Sequence, residues 1–208
     1  SQRQKRRAAF SNFLSIRFRG VDPDRLLGGL NAGFGWLFCG PAVVAGILLM
    51  LSALLLLGSQ FDIVQHRLPR FQQFFGSGNW FWLALTLSLT KVLHELGHGL
   101  ACRRLGGRCH EMGVMLLLFM PCLYCNVTDS WMIPSKWKRA AIGAAGMYVE
   151  LVLASICTFL WWFSVPGLLN GICLNVMFVC SVSTLLFNAN PLMRYDGYYI
   201  LSDLVEIP

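Results

Sequence analysis

The run "KVLHELGHGLACRR", Lys91 to Arg104, sets two imidazoles, His94 and His98, four residues apart with a carboxylate, Glu95, directly after the first. On a helix, positions i and i+4 lie on one face about one turn apart, so both imidazoles can reach one metal ion from the same side. Glu95 is rotated roughly 100° from His94 about the helix axis, beside the coordination position the histidines leave open, where it can take a proton from metal-bound water. That is the chemistry of hydrolysis by an activated water. Nitrogen and oxygen donors in a water-activating site make zinc the expected ion, one Zn2+ per chain.

A catalytic zinc takes three protein ligands and keeps one position for water. The pattern with a further histidine six residues after His98 is absent, because that position is Arg104. His110, Glu111, Asp129, Glu150, Asp196 and Asp203 remain as candidates for the third ligand.

The elements that must position these groups are membrane helices. The histidine pair runs straight out of "NWFWLALTLSLT", Asn79 to Thr90, in a 208-residue chain that is 56% hydrophobic and 13% charged. Its mean hydropathy of +0.57 is too high for an ordinary soluble domain. Crossing a bilayer takes about 20 mostly apolar residues, and a helix satisfies its own backbone there. Gly33 to Leu57, Ala140 to Phe163 and Gly167 to Phe187 meet that length; Trp80 to about Leu100 meets it if Lys91, His94, Glu95 and His98 are tolerated. Ionisable residues at that depth mark function. The shorter run Gly113 to Cys125, which contains Pro121, reads as re-entrant or interfacial.

The expected fold is therefore an all-α polytopic membrane protein with about four transmembrane helices (about 33–57, 80–102, 140–163 and 167–188) plus that short segment. Residues 1–32 form a basic cytoplasmic N-terminal segment and 33–208 the membrane-embedded core. "SQRQKRR" has no apolar stretch directly behind it, so it is not a cleavable signal peptide and the first helix is the anchor. The abrupt start and the end at "LVEIP" are those of a segment cut from a longer protein.

Charge placement orients the helices. Seven Lys/Arg precede the first helix, two lie between the first and second, six between Arg103 and Arg139, none between Phe163 and Gly167, and Arg194 follows the last. This alternation is the positive-inside rule, with four crossings and both termini in the cytoplasm. The net charge of +7 thus reflects topology, and no basic patch interleaved with stacking aromatics points to nucleic acid. Cys39, Cys157, Cys173 and Cys180 fall inside spans, while Cys102, Cys109, Cys122 and Cys125 fall on the reducing side, so free thiols are expected. The lone Cys122-x-x-Cys125 pair lacks the spacing of a familiar zinc ribbon, and the "NVT" sequon at Asn126 lies on the cytoplasmic side.

Topology discriminates among the third-ligand candidates. The second and fourth helices run in the same direction, and the fourth reaches "NANPLMRYDGYY" at its cytoplasmic end, which delivers Asp196 to the depth of the histidines. Asn190 and Pro191 stop or bend that helix, and Gly197 lets the backbone turn after the aspartate. Glu150 shares a helix face with Gly143 and Gly146, so small residues allow close helix approach while the carboxylate points into the contact. Three roles stay open for it: an active-site neighbour, a buried partner of Lys91, or a ligand competing with Asp196. Lys91 sits one turn before Glu95 and suits either a salt bridge to it or snorkelling along the helix.

His94-Glu95-Leu96-Gly97-His98 together with Asn190-Pro191 and Asp196-Gly197 resembles the site-2 protease family of intramembrane zinc metalloproteases over roughly Trp80 to Pro208. "CLYCNVTDSW" and "NPLMRYDGYYILSDLVEIP" are similar to a bacterial branch in which this core is often joined to secretion-adaptor domains of the membrane-fusion type. The resemblance implies a site-2-protease-like core, zinc held by His94, His98 and Asp196, and Glu95 as the catalytic base. Two departures stand out: Leu192 to Tyr195 put four residues between the Pro and the Asp where many members have two, and "AGMYVE" puts Glu150 where many carry an asparagine. Substrate positioning or oxyanion stabilisation would then fall to Asn190 and Glu150.

The function implied is a zinc metalloendopeptidase in the bacterial inner membrane, with its site near the cytoplasmic side and the bilayer itself as surroundings. Its substrate would be a membrane protein or peptide that unwinds locally, because a helical carbonyl is screened by its own hydrogen bond. The Gly113 to Cys125 segment offers that strand a place to pair. A di-iron oxidase would need more histidine boxes than a chain with four His supplies. Histidines one turn apart cannot occupy opposite faces of one haem iron. The remaining alternative is a catalytically inactive metal-binding scaffold of an export or adaptor assembly, against which the presence of Glu95 argues, since a structural site needs no general base.

Overall fold

The structure, a computed structural model, describes residues 15–17, 23–109, 111–117, 120–126 and 132–206. Helix α1 (Asp24–Phe34) leads through a tight 3-10 turn (Gly35–Phe38) into α2 (Gly40–Ser59), followed by the short α3 (Phe61–Arg67) and α4 (Phe71–Phe74). The long α5 (Ser77–Arg104) carries the HELGH run; α6 (Lys136–Phe163) and α7 (Leu168–Val182) follow, and α8 (Asp196–Val205) closes the chain. Three strands, β1 (Ser15–Arg17), β2 (Glu111–Leu117) and β3 (Met120–Asn126), form one antiparallel sheet in the order β1-β2-β3.

Among the described residues, three helical stretches are long and apolar enough to cross a membrane: Gly40–Ser59, Lys136–Phe163 and Leu168–Asn188. At about 1.5 Å per residue, the 28 residues of α5 are long enough for a bilayer core of about 30 Å. Lys91, His94, Glu95 and His98 interrupt its apolar run. The protein is thus a helical membrane protein, as the composition requires.

Local chemistry moved two boundaries. The helix expected from Gly33 breaks at Cys39, whose backbone is extended, and restarts at Gly40 with Pro41 in its first turn, where a missing N–H costs nothing. The Gly113 to Cys125 segment, expected to be re-entrant or interfacial, is extended chain. Met115 pairs with Cys122 across β2 and β3 and with Arg17 across β2 and β1. β-Pairing satisfies each strand's backbone in a run too short for a crossing.

Helix α5 ends with Arg103 and Arg104 in its last turn, favourable at the negative end of a helix dipole. Gly106 then takes a positive φ of 98° that a side chain would disfavour. Leu27 of α1 packs with Leu100 and Cys109 at this end, next to a cluster of Ala101, Cys102, Ile142 and Ala145. At the other end Trp161, Cys157 and Cys173 form a separate core. There the side-chain amides of Asn79 and Asn175 pair reciprocally at 2.9 Å, joining α5 to α7.

Small residues bring the helices close where the histidines lie. A Cβ on Gly97 would meet Val149 Cγ2 at 3.0 Å and the Ala145 carbonyl oxygen at 3.1 Å, so α5 and α6 touch nearly backbone to backbone. Helix α7 runs on through a π-helical turn, Ser183–Asn188, closed by the Ala189 N–H donating to the Thr184 carbonyl at 2.7 Å. Beyond it, α8 folds back onto α6. Arg139 Nε donates to Asp203 Oδ1 at 2.8 Å, and Gly143 leaves the space that Ile200 fills.

Candidate metal centre

His94 and His98 leave α5 one turn apart and are buried, at 4% and 6% exposure. Their Nε2 atoms lie 3.0 Å apart. Gly146 of α6 makes this possible, since a Cβ there would sit 2.5 Å from each Nε2. The third donor comes from the opposite end of the chain: Asp196, the first residue of α8, places Oδ2 3.0 Å from His94 Nε2 and 3.4 Å from His98 Nε2. Gly197 permits the approach, because any Cβ there would strike the backbone of Asn188 and Ala189 at 2.7 to 2.9 Å.

Each imidazole is anchored through its other nitrogen. His98 Nδ1 lies 2.8 Å from the Ile142 carbonyl oxygen, an acceptor only, so Nδ1 carries the proton and Nε2 presents a lone pair. His94 Nδ1 lies 3.3 Å from Glu150 Oε1, with Asn188 Nδ2 3.4 Å away. Asp196 Oδ2 is buried and makes no hydrogen bond of acceptable geometry, despite its two imidazole neighbours. Burial alone would push the Asp196 carboxyl up; the adjacent imidazoles outweigh it and hold the group well below the usual carboxylate range.

These residues fit a zinc ion. With bonds of about 2.0 to 2.1 Å, a tetrahedral site has ligand-to-ligand edges of about 3.3 Å. The three separations of 3.0, 3.0 and 3.4 Å are of that size. Lone pairs from two imidazoles and an orphaned carboxylate oxygen converging in a buried space repel unless a cation lies between them. Among the described residues, His94, His98 and Asp196 are the group whose donor atoms lie close enough together to hold a metal.

Glu95 is half-buried one residue on from His94 and interacts electrostatically with His98, His94 and Asp196. Lys91 does not pair with it; its Nζ lies 2.8 Å from Glu150 Oε1. Glu150, at 1% exposure, also accepts from Thr184 Oγ1 at 2.6 Å and from Ser183 Oγ and Asn188 Nδ2 at 3.4 Å each. This carboxylate faces the back of His94 and not its metal-facing nitrogen, so the competing-ligand role does not match its position. Asn190, expected beside the reacting atoms, spends its side-chain oxygen accepting the Leu192 N–H at 2.9 Å, a turn that shapes the loop after α7. The asparagine within reach of His94 is Asn188, two residues earlier and buried. Sequence reasoning missed it, because it lies in the π-helical turn Ser183–Asn188, which a regular helical projection does not place.

Asp203 is engaged by Arg139 and is not a ligand. His110 and Asp129, and the side chains of Glu111, Cys122 and Cys125, lie outside the described residues. Cys39, Cys102, Cys109, Cys157, Cys173 and Cys180 are free of disulfides.

Residues 81–170 match peptidase family M50. This match supports the resemblance to the site-2 protease family. The matched stretch runs from α5 through α6 and so holds His94, Glu95, His98, Gly146 and Glu150. It is similar to a protein of Bacillus subtilis (strain 168) named "Putative peptide zinc metalloprotease protein YydH", 26% identical over 129 residues, 62% of this chain and 49% of that protein. The chain spans about half the length of this curated relative. No solved structure matches it. The family match and the relative's name both support a metalloprotease reading of the site built by His94, His98 and Asp196.

Proposed function

We propose that the protein is a zinc metalloendopeptidase that hydrolyses peptide bonds in membrane-embedded or membrane-proximal substrates. The observation that carries this reading is the convergence of two imidazole nitrogens and one orphaned carboxylate oxygen, within 3.4 Å of one another, beside a half-buried glutamate. Zinc bound there would supply an acidified water and a Lewis acid for the scissile carbonyl. Glu95 takes the proton from the attacking water and returns it to the leaving amine. His94, His98 and Asp196 would hold the ion. Burial by α6 keeps bulk water from the histidines.

The substrate is a membrane protein or peptide whose helix opens locally before cleavage. On its side away from β2, β3 has no strand partner among the described residues, and that edge can pair with an opened segment by strand addition. The basic residues at the ends of α5 and α6 and before α1 favour the bacterial inner membrane with both termini and the site on the cytoplasmic side. Secretion-adaptor domains or subunits are the partners proposed for this core.

Metal content and cleavage separate the enzyme from an inactive scaffold. We expect about one zinc per purified chain in wild type, retention of that zinc in Glu95→Gln, and its loss in Asp196→Ala. Glu95→Gln should lower cleavage of co-reconstituted single-span membrane proteins by about 10²- to 10⁴-fold, the usual worth of a general base. A Glu95→Gln protein that supports wild-type function would identify a scaffold.

A further inference from the structure

We propose that Glu150 is a positioning residue for His94: it accepts the Nδ1 proton and so turns Nε2 toward the metal. The inference rests on the zinc reading above and adds to it the residues that keep one ligand in place.

The two histidines are supported by different means. His98 is oriented by a backbone carbonyl, that of Ile142, which no substitution can remove. His94 Nδ1 has two side chains beside it, Glu150 Oε1 at 3.3 Å and Asn188 Nδ2 at 3.4 Å, and of these the carboxylate is the one that can accept the Nδ1 proton and leave Nε2 bare for the metal. Carboxylates behind metal-binding histidines fix the tautomer and raise the basicity of the ligating nitrogen. Glu150 is in turn held on both oxygens. Lys91 Nζ and Ser183 Oγ approach Oε1, and Thr184 Oγ1 and Asn188 Nδ2 approach Oε2. Lys91 also donates to Ser183 Oγ, closing the network.

The backbone bears the mark of this arrangement. The only irregular turn in the described part of α7 and its continuation is the π-helical one at Ser183–Asn188, and all three residues that approach Glu150 from that side lie in it. Such turns are rare insertions in α-helices and are frequent at functional sites. A carboxylate needed only to neutralise Lys91 would not call for them, because Lys91 is one-third exposed and can reach water. The network is built around the carboxylate, and the group the carboxylate touches outside the network is His94.

The test is zinc affinity of the detergent-purified protein, read by competition with a chromogenic chelator, together with the visible spectrum of the cobalt(II) form. Removing Glu150 alone would leave the Lys91 charge without its ion-pair partner beside His94, so the informative variant is Lys91→Met/Glu150→Leu, which replaces both charges by apolar groups. We expect a folded protein with a lowered thermal midpoint, since Thr184 and Asn188 lose their acceptor, zinc affinity weaker by about 10- to 100-fold, and an altered cobalt spectrum. Lys91→Met/Glu150→Gln, whose amide oxygen can still accept from Nδ1, should recover part of the affinity. Wild-type affinity and spectrum in the Leu variant, or equal losses in the Leu and Gln variants, would overturn the positioning role and leave the zinc site standing. Absence of zinc binding in wild type would overturn both.

Discussion

Helices α2 and α6 are both long and apolar, and they use that apolarity in opposite ways. Helix α2 turns Val44, Leu48, Leu51, Leu54 and Leu55 outward, and its buried residues are Gly46 and Ala53. Helix α6 buries residues along its length, among them Gly146, Glu150 and Trp161. In a bilayer, leucine gains nothing by leaving lipid for protein, so helix association depends on close packing and polar contacts. Apolarity therefore says that a helix resides in the membrane, while small and polar residues say which one builds the site. Helix α2 meets the bundle at one such point, where Gly46 faces the Tyr148 hydroxyl and Tyr148 donates to the Ala42 carbonyl at 3.2 Å.

The largest effect should come from adding one methyl group to α6. In Gly146→Ala the new Cβ would lie 2.5 Å from both Nε2 atoms, where the metal's donors converge. Neither ring can simply rotate away, since each is held through Nδ1. We expect zinc affinity to fall by at least about 100-fold, the upper end of what disturbing a ligand's support costs, with secondary structure unchanged by circular dichroism. Full zinc occupancy in this variant would show that the close α5–α6 approach does not shape the site.

The same contrast explains what could be read in the sequence. The histidine pair was legible because ligand spacing on a single helix is a local property, and Asp196 was legible because the direction of two helices fixes the depth of their ends. The membrane class followed from composition alone. The extended strands of β2 and β3 were not legible: a 13-residue apolar run has no periodicity that separates strand from interfacial helix. The partnership of Lys91 with Glu150 was one of the roles left open for Glu150, and the sequence could not choose it over a pairing with Glu95. It links residues 59 positions apart, and only the packing of α5 on α6 decides it. Asn188 was missed because a π turn shifts the helix phase by one residue, so a regular helical projection misplaces everything beyond Val182.

Two substitutions on α2 complete the scale. Gly46→Leu should force α2 off Tyr148, where even a Cβ would meet the hydroxyl at 2.5 Å; overpacking of this kind costs about 1 to 3 kcal/mol, visible as a lower thermal midpoint in detergent. Zinc affinity should stay within about twofold, because Tyr148 touches neither histidine nor Glu150 among the described contacts. Leu55→Ala should do less still. Leu55 is 72% exposed to what would be lipid, so truncation opens no cavity, and a surface change of this type stays within about 0.5 kcal/mol. A marked loss of stability or zinc from Leu55→Ala in the detergent-purified chain would mean that the outer face of α2 is packed against protein. Its apolar surface would then belong to an interface, and the division between a lipid-facing helix and a site-building one would fail.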